Sequence, residues 1–595
     1  MMNTQECDIL LSLREAPYIN QRLLAQASGH SLGVVNRCLR QLRQAGFLDG
    51  QFQLTERAHG ELTRKAPKNA VILAAGYGLR MVPINMETPK AFLEADGEPL
   101  IERLIKQLHT VGIREIYVVV GYMKERFEYL MDDYGVQLIV NRDYADKNNL
   151  HSLALAAEHL SNSYVLPCDL WCAKNPFRPY ELYPWYMVSD GWSEDSTVRV
   201  NRKGELAVVQ EGRCGNAMLG IAYLPEEQAA AVRRRIAALC QDNRSRGLFW
   251  ESALSDQGRM ILNARVVPAG QVVEINTYEQ LRELDDHSSQ LKSDKIQVIA
   301  QVLHAEPEEI TNISALKKGM TNRSFLFTCR GAKYIMRVPG EGTGQLINRR
   351  EEAAVYRLIQ GRGLCEDILY IDPDSGYKIS RFIEGARTCD PLNPDETAAC
   401  MEKLRSFHQL GLKVGHTFDL FDRIDFYERL WEGRPSAYRN YRQTKENVLR
   451  LKPFIDAQTG EQVLTHIDAV PDNFLFCQND RGEAELRLID WEYAAMQDPH
   501  VDVAMFCIYA MYDREQVERL IGQYFPEGCP RKTRIKIYCY IAVCGLLWSN
   551  WCEYKRGLGV EFGEYSLKQY RYARDYYRIA AAEMEQIGEW TPCTQ

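Results

Sequence analysis

The chain has 595 residues, 26% of them charged and 46% hydrophobic, with a formal net charge of −8. That length implies roughly three to five domains of ordinary globular composition, and the acidity excludes a nucleic-acid coat. No window approaches the roughly 18 uninterrupted apolar residues of a membrane span, and the N-terminus carries neither a basic start nor an apolar run, so a cytoplasmic protein is expected. The 17 cysteines are odd in number, scattered and free of CxxC, which argues for reduced thiols and against a disulfide scaffold or structural zinc.

Two polar, helix-poor stretches, residues 63–69 and 285–294, read as joints and predict domains over 1–66, 67–286 and 296–595. In the first domain the spacing predicts helices and a hairpin. A helix from Ile19 to Ala27 meets the turn Ser28-Gly29-His30, and Ser31 caps a helix through Leu32, Val35, Leu39 and Leu42. Residues 46–54 read as a hairpin turning at Asp49-Gly50. The pattern resembles a winged helix-turn-helix of the MarR-like kind. The resemblance implies that Asn36, Arg37, Arg40, Gln41 and Arg43 face a DNA major groove. Eight Lys/Arg against six Asp/Glu in this domain is a thin surplus for DNA, so dimerisation or packing within an enzyme is the other expectation.

In the second domain, the apolar strand Val71-Ile72-Leu73-Ala74-Ala75 runs into Gly76-Tyr77-Gly78-Leu79-Arg80, with Pro89-Lys90 following. Glycines let backbone N–H groups approach a triphosphate, and Arg80 and Lys90 bring it positive charge. Further buried strands at Ile116 to Tyr122 and Val136 to Asn141 alternate with helices, which predicts a parallel sheet. Asp169 ends a later strand, where open α/β sheets bind ligands.

This constellation resembles the nucleotidyltransferases that join a nucleotide to a phosphorylated small molecule. The fold implied is a Rossmann-like α/β mixed sheet. Ala74, Ala75, Gly76, Tyr77, Gly78 and Asn148 are then nucleotide-binding, Arg80 and Lys90 catalytic, and Asp169 a magnesium ligand. Where the family carries Glu-Ile-Asp, this chain reads Glu274-Ile275-Asn276, so Asn276 stands at the second ligand position with a neutral oxygen. Within the family the chain looks most like the lic-type phosphocholine cytidylyltransferases, through residues 121–130 and 248–251. A trimethylammonium group is held by aromatic faces and a carboxylate, so Trp250, with Trp185, Tyr186, Trp192 and Glu251, is a candidate for such a cage.

The third domain carries His466-Ile467-Asp468-Ala469-Val470-Pro471-Asp472-Asn473 and, 17 positions beyond Asn473, Asp490 on a strand. Phosphoryl transfer to an alcohol needs a carboxylate for the hydroxyl, ligands for Mg²⁺ and a cation for the phosphates. The spacing resembles the protein-kinase-like α+β fold in its choline kinase and aminoglycoside phosphotransferase branch. By that resemblance Asp468 is the base and Asn473 and Asp490 bind Mg²⁺. Thr321 and Asn322 lie at the nucleotide, and Arg337, paired with Glu352, holds phosphates. Trp548 and Trp551 sit at i, i+3, and with Tyr570 they would wrap choline.

Two consecutive reactions are implied, with ATP, CTP, choline and phosphocholine as partners and CDP-choline as product for cell-surface decoration. Two other readings stay open. One keeps both reactions on ethanolamine or another amino alcohol. The other is a choline-sensing transcription regulator. Residues 1–66 are candidates for DNA binding, and a homodimer is open.

Overall fold

The structure is a computed structural model that describes residues 2–209, 214–256, 259–316, 322–340, 344, 346–479, 481–560 and 562–590. The chain forms two compact units, residues 1–300 with 310–315, and residues 301–309 with 316–595.

Helices in the first unit begin where a side chain can accept the free N–H groups of a first turn. Asn3 and Glu6 make a reciprocal capping box on Thr4–Glu15, Asn20 caps Gln21–Ser28, and Ser31 caps Leu32–Gln44. The hairpin shrinks to one bridge between Leu48 and Leu54 across a longer turn than Asp-Gly alone. Asp49 Oδ1 accepts from Gln51 N and Gln53 N, both at 2.8 Å. A fourth helix, Glu56–Arg64, follows.

The small core of this module holds Leu10, Leu24, Val35, Leu39 and Leu42, and also Leu182 from the next domain. Tyr183 donates to Asp8 at 2.8 Å, and Lys65 donates to Leu182 O at 2.9 Å. Leu182→Ala is therefore expected to destabilise the N-terminal module by about 2–4 kcal/mol, read as earlier melting and faster amide exchange in its helices.

The central domain is built on a mixed sheet. Strand Asn69–Ala74 is buried throughout and pairs in parallel with Glu115–Val120 and Ser163–Pro167. Gly215–Leu224 then runs antiparallel to Ser163–Pro167 and to Trp185–Ser193. The Gly loop and Asp169 consequently emerge side by side from the carboxyl ends of neighbouring parallel strands.

In the second unit, antiparallel strands Asn322–Cys329, Ala332–Pro339, Lys378–Arg381 and Ile368–Ile371 stand next to one another in that order. Helix Arg349–Ile359 and a helical region complete it. Helix Arg531–Gly557 has the length and mean apolarity to cross a membrane, although polar residues interrupt its apolar run. Its apolar window is wholly buried against its own domain. Gly545 lets Glu564–Gln586 come close, since a Cβ there would meet Gln569 O at 2.8 Å.

Candidate functional sites

The first centre forms at the sheet's carboxyl edge. Gly78 takes φ +61°, and a Cβ on it would lie 3.3 Å from Lys90 Cβ, so the loop lies directly on the Lys90 stem. Asn85 Nδ2 donates to Tyr77 O at 3.2 Å and Gly78 O at 3.0 Å, bracing the turn. The Tyr77 ring packs on Tyr122 and Tyr144.

Arg80, Lys90, Asp169 and Asn276 are brought together from four segments. Lys90 Nζ bonds the Asp169 carboxylate and donates to Asn276 Oδ1 at 2.7 Å, and Arg80 donates to the same oxygen at 2.9 Å. Asn276 Oδ1 thus gathers the two cations. Burial, then the charge of Asp169, raises the Glu274 carboxyl above its usual range. Asp169 Oδ1 is buried without a hydrogen-bond partner. An orphaned carboxylate oxygen beside a second carboxylate suits a hard divalent cation whose other ligands come from phosphate and water. Among the described residues no three His, Cys, Asp or Glu are placed to hold a metal ion by themselves, so phosphate oxygens would have to complete the shell.

Asn148 caps helix Asn149–Leu155 and donates to Gly247 O at 3.1 Å. The expected aromatic cage disperses. Trp250 is 1% exposed and packs in the apolar core with Tyr186 and Leu153, where it has no free face to offer a ligand. Trp185 is equally buried, and the Arg265 guanidinium already covers its ring at 3.9 Å. Trp192 is exposed beneath Arg199. Tyr186 donates to Glu251 at 3.0 Å.

Burial pushes the Glu251 carboxyl from 4.5 up to about 7. The folded state therefore holds a proton that the unfolded chain releases between those two pH values, and stability falls as pH rises through that window. Glu251→Gln cannot ionise. It is expected to melt later than the parent at pH 8, by up to about 3 kcal/mol, and to match it at pH 4.

The second centre is a cavity of about 510 Å³ lined by Asp468, Asn473 and Asp490, with Trp548, Trp551 and Tyr565 also in its wall. Asn473 Nδ2 donates to Asp468 O at 2.9 Å and to Asp468 Oδ2 at 3.3 Å, and Ile489 N donates to Asn473 O at 2.9 Å. Asp502 accepts from His466 N and Ile467 N at 3.0 and 2.8 Å, fixing the strand end that presents Asp468. Ile467 and Asp490 both take positive φ, strain that these bonds hold in place. Burial and the nearby Glu492 charge push Asp468 up to about 7 and Asp490 well above the carboxylate range. Carboxylates gathered this closely away from water suit a divalent cation.

Arg337 and Glu352 form a bidentate pair at 5% and 0% side-chain exposure, a buried pair unlike a surface salt bridge of little worth. Arg349, unmarked by any motif, joins Glu352 at 2.9 Å, Glu492 at 3.2 Å and Asn322 at 3.1 Å. Asn322 also donates to Glu492 at 2.8 Å. Thr321 lies outside the described residues.

The rings of Trp548 and Trp551 stand 5.6 Å apart at 73°. Tyr570 is not with them. It stacks on Tyr438 at 3.8 Å and 5°, bonds Thr444 at 2.9 Å, and is absent from the cavity wall. Tyr565, earlier on the same helix, takes the place expected of it. The helix places its residues at about 100° per position, so a five-residue offset turns the side chain to another face.

A winged helix-turn-helix DNA-binding family model matches residues 2–49, a MobA-like NTP transferase domain matches 70–177, and a choline/ethanolamine kinase matches 313–539. The choline-phosphate cytidylyltransferase of Streptococcus pneumoniae is 30% identical over 231 residues, covering 36% of this chain and 96% of that protein. Protein LicA of Haemophilus influenzae is 27% identical over 264 residues, 42% of this chain and 96% of that protein. The crystal structure of choline kinase LicA from Streptococcus pneumoniae aligns at 27% identity with a TM-score of 0.42, over 48% of this chain and 100% of that one. The chain is a kinase and a nucleotidyltransferase in one polypeptide: it belongs to the choline-phosphate cytidylyltransferase family through its central domain, and its C-terminal domain is matched by the choline/ethanolamine kinase model, behind a winged helix-turn-helix.

Proposed function

We propose that the chain converts choline and ATP to phosphocholine, and phosphocholine and CTP to CDP-choline and pyrophosphate. The observation that carries the reading is the cavity in which Asp468, Asn473 and Asp490 share a wall with Trp548, Trp551 and Tyr565. Asp468 accepts the choline hydroxyl proton while indole faces hold the quaternary ammonium, a cation that cannot donate hydrogen bonds. Arg337, fixed by Glu352, holds ATP phosphates. In the transferase, phosphocholine is already a phosphate nucleophile and needs no base. Arg80 and Lys90 neutralise the α-phosphate of CTP on the loop of residues 76–78. Asn473 with Asp490, and Asp169 with Glu274, would hold Mg²⁺, which would neutralise phosphate charge when bound.

An aromatic wall favours choline over ethanolamine, whose ammonium wants hydrogen-bond acceptors. Trp548→Ala is expected to raise KM for choline about 30-fold, from a cation–π loss of about 2 kcal/mol, with KM for ATP unchanged. The exposed Asn36, Arg40, Gln41 and Arg43 on Leu32–Gln44 form a DNA-facing surface, tested by salt-dependent binding of duplex DNA.

Phosphorus NMR with Mg²⁺, ATP, CTP and choline, run beside ethanolamine, tests the whole reading. A phosphocholine signal that converts to CDP-choline is expected. Turnover of neither amine would overturn it.

A further inference from the structure

The polar stretch that follows the transferase reads as a joint in the sequence, yet it is bonded along its length to the loop carrying Lys90. Ser288 Oγ donates to Glu94 O at 3.0 Å, and Ser289 Oγ donates to the Glu94 carboxylate at 2.9 Å. Gln290 uses both ends of its amide: Nε2 donates to Phe92 O at 2.9 Å, and Oε1 accepts from Glu94 N at 3.0 Å. Asp285 accepts from Asp96 N at 3.0 Å. On the other flank of Lys90, Glu87 pairs with Lys295, a buried ammonium that also meets Asp294 at 2.7 Å.

The loop between these contacts has little regular structure of its own. It contains one turn of 3-10 helix, Lys90–Phe92, and the two-residue strands Glu94–Ala95 and Glu98–Pro99. A segment so short on backbone ladder takes its position from side-chain contacts. Lys90 lies three residues after Glu87 and two before Phe92, so it is pinned from both sides by one stretch of chain.

We infer that residues 285–295 are a working part of the transferase centre, with Gln290 and Lys295 as positioning residues that set the Lys90 ammonium at the phosphates of the nucleotide. The inference rests on the reading of Lys90 as a phosphate-binding cation.

The test uses full-length Gln290→Ala, Gln290→Glu and Lys295→Met, each assayed for both reactions in one preparation, with amide exchange followed over residues 87–95. Gln290→Ala is expected to raise KM for CTP and lower kcat/KM of cytidylyl transfer by about ten-fold or more, since small misplacements of a phosphate-binding group are costly. Gln290→Glu keeps the acceptor for Glu94 N and falls between that variant and the parent. Lys295→Met follows Gln290→Ala. Choline phosphorylation stays at the parent rate in all three, and the Glu94 amide loses protection in Gln290→Ala.

Parent kinetics in Gln290→Ala would overturn the inference. So would a fall in kcat that leaves amide exchange over residues 87–95 unchanged, which leaves the Lys90 loop undisplaced. If the parent itself transfers no cytidylyl group, the reading of Lys90 fails. Exchange then decides the clamp by itself, and unchanged protection over residues 87–95 overturns it.

Discussion

Asp468→Asn lowers choline phosphorylation by about a thousand-fold or more, while cytidylyl transfer to supplied phosphocholine continues at the parent rate. The carboxylate is the cavity's proton acceptor, and positioned bases contribute about 10²–10⁴-fold. The amide keeps the volume and one acceptor oxygen, so the hydrogen bond from Asn473 Nδ2 survives and the strand end braced by Asp502 stays in place. The loss then appears in kcat with KM for choline little changed, because the indole wall is untouched. Steady-state kinetics on each half-reaction checks this, with phosphocholine supplied for the second. A fall in both reactions, or a Km effect without a kcat effect, would remove Asp468 from the role of base.

Lys90→Ala has the opposite pattern. Cytidylyl transfer falls by about 10²–10³-fold, the cost of losing one preorganised donor to developing phosphate charge, and choline phosphorylation is unaffected. Phosphorus NMR of the coupled reaction then shows phosphocholine accumulating. Two features make the site intolerant. Lys90 Nζ is shared between Asp169 and Asn276, so its removal leaves the buried Asp169 carboxylate without its cation. Its stem also lies against Gly78, so Lys90→Arg has no room to fold a bulkier group back over the loop and recovers little activity. Normal CDP-choline formation by Lys90→Ala would place phosphate neutralisation on Arg80 alone.

The motifs that could be read along the chain are those whose members lie close together in sequence. Asn473 and Asp490 flank the hairpin of strands Phe474–Gln478 and Ala484–Leu488, and Asp468 lies just before it, so the chain order already carries their neighbourhood. Gly76, Gly78 and Arg80 follow a strand whose apolar run is unambiguous. The i, i+3 spacing of Trp548 and Trp551 likewise survives as shared lining of one cavity. Tyr570 and Trp250 show where such reasoning stops. Each is an aromatic residue near a motif, and the direction it faces depends on packing partners, Tyr438 and Thr444 for one and Tyr186 for the other, that stand far away in sequence. Asn85, Arg349 and Gln290 carry no motif. Nothing in their local pattern separates them from surface polar residues until the backbone atoms they bond are in place.

Order and identity of the three domains, the Gly loop, the kinase carboxylates and the indole pair follow from local spacing and residue chemistry, because helix and strand periodicities and short turns are encoded within a few residues of where they act. Other features exist only in three dimensions. The meeting of Lys90 with Asp169 and Asn276 spans 79 and 186 positions, and Leu182 completes the core of a module that ends more than a hundred residues before it. The docking of residues 285–295 on the Lys90 loop spans about as far as the Asn276 contact. Contacts of that range are chosen by how strands order in the sheet and which faces bury one another, a competition settled by the free energy of the whole unit and not by any segment alone.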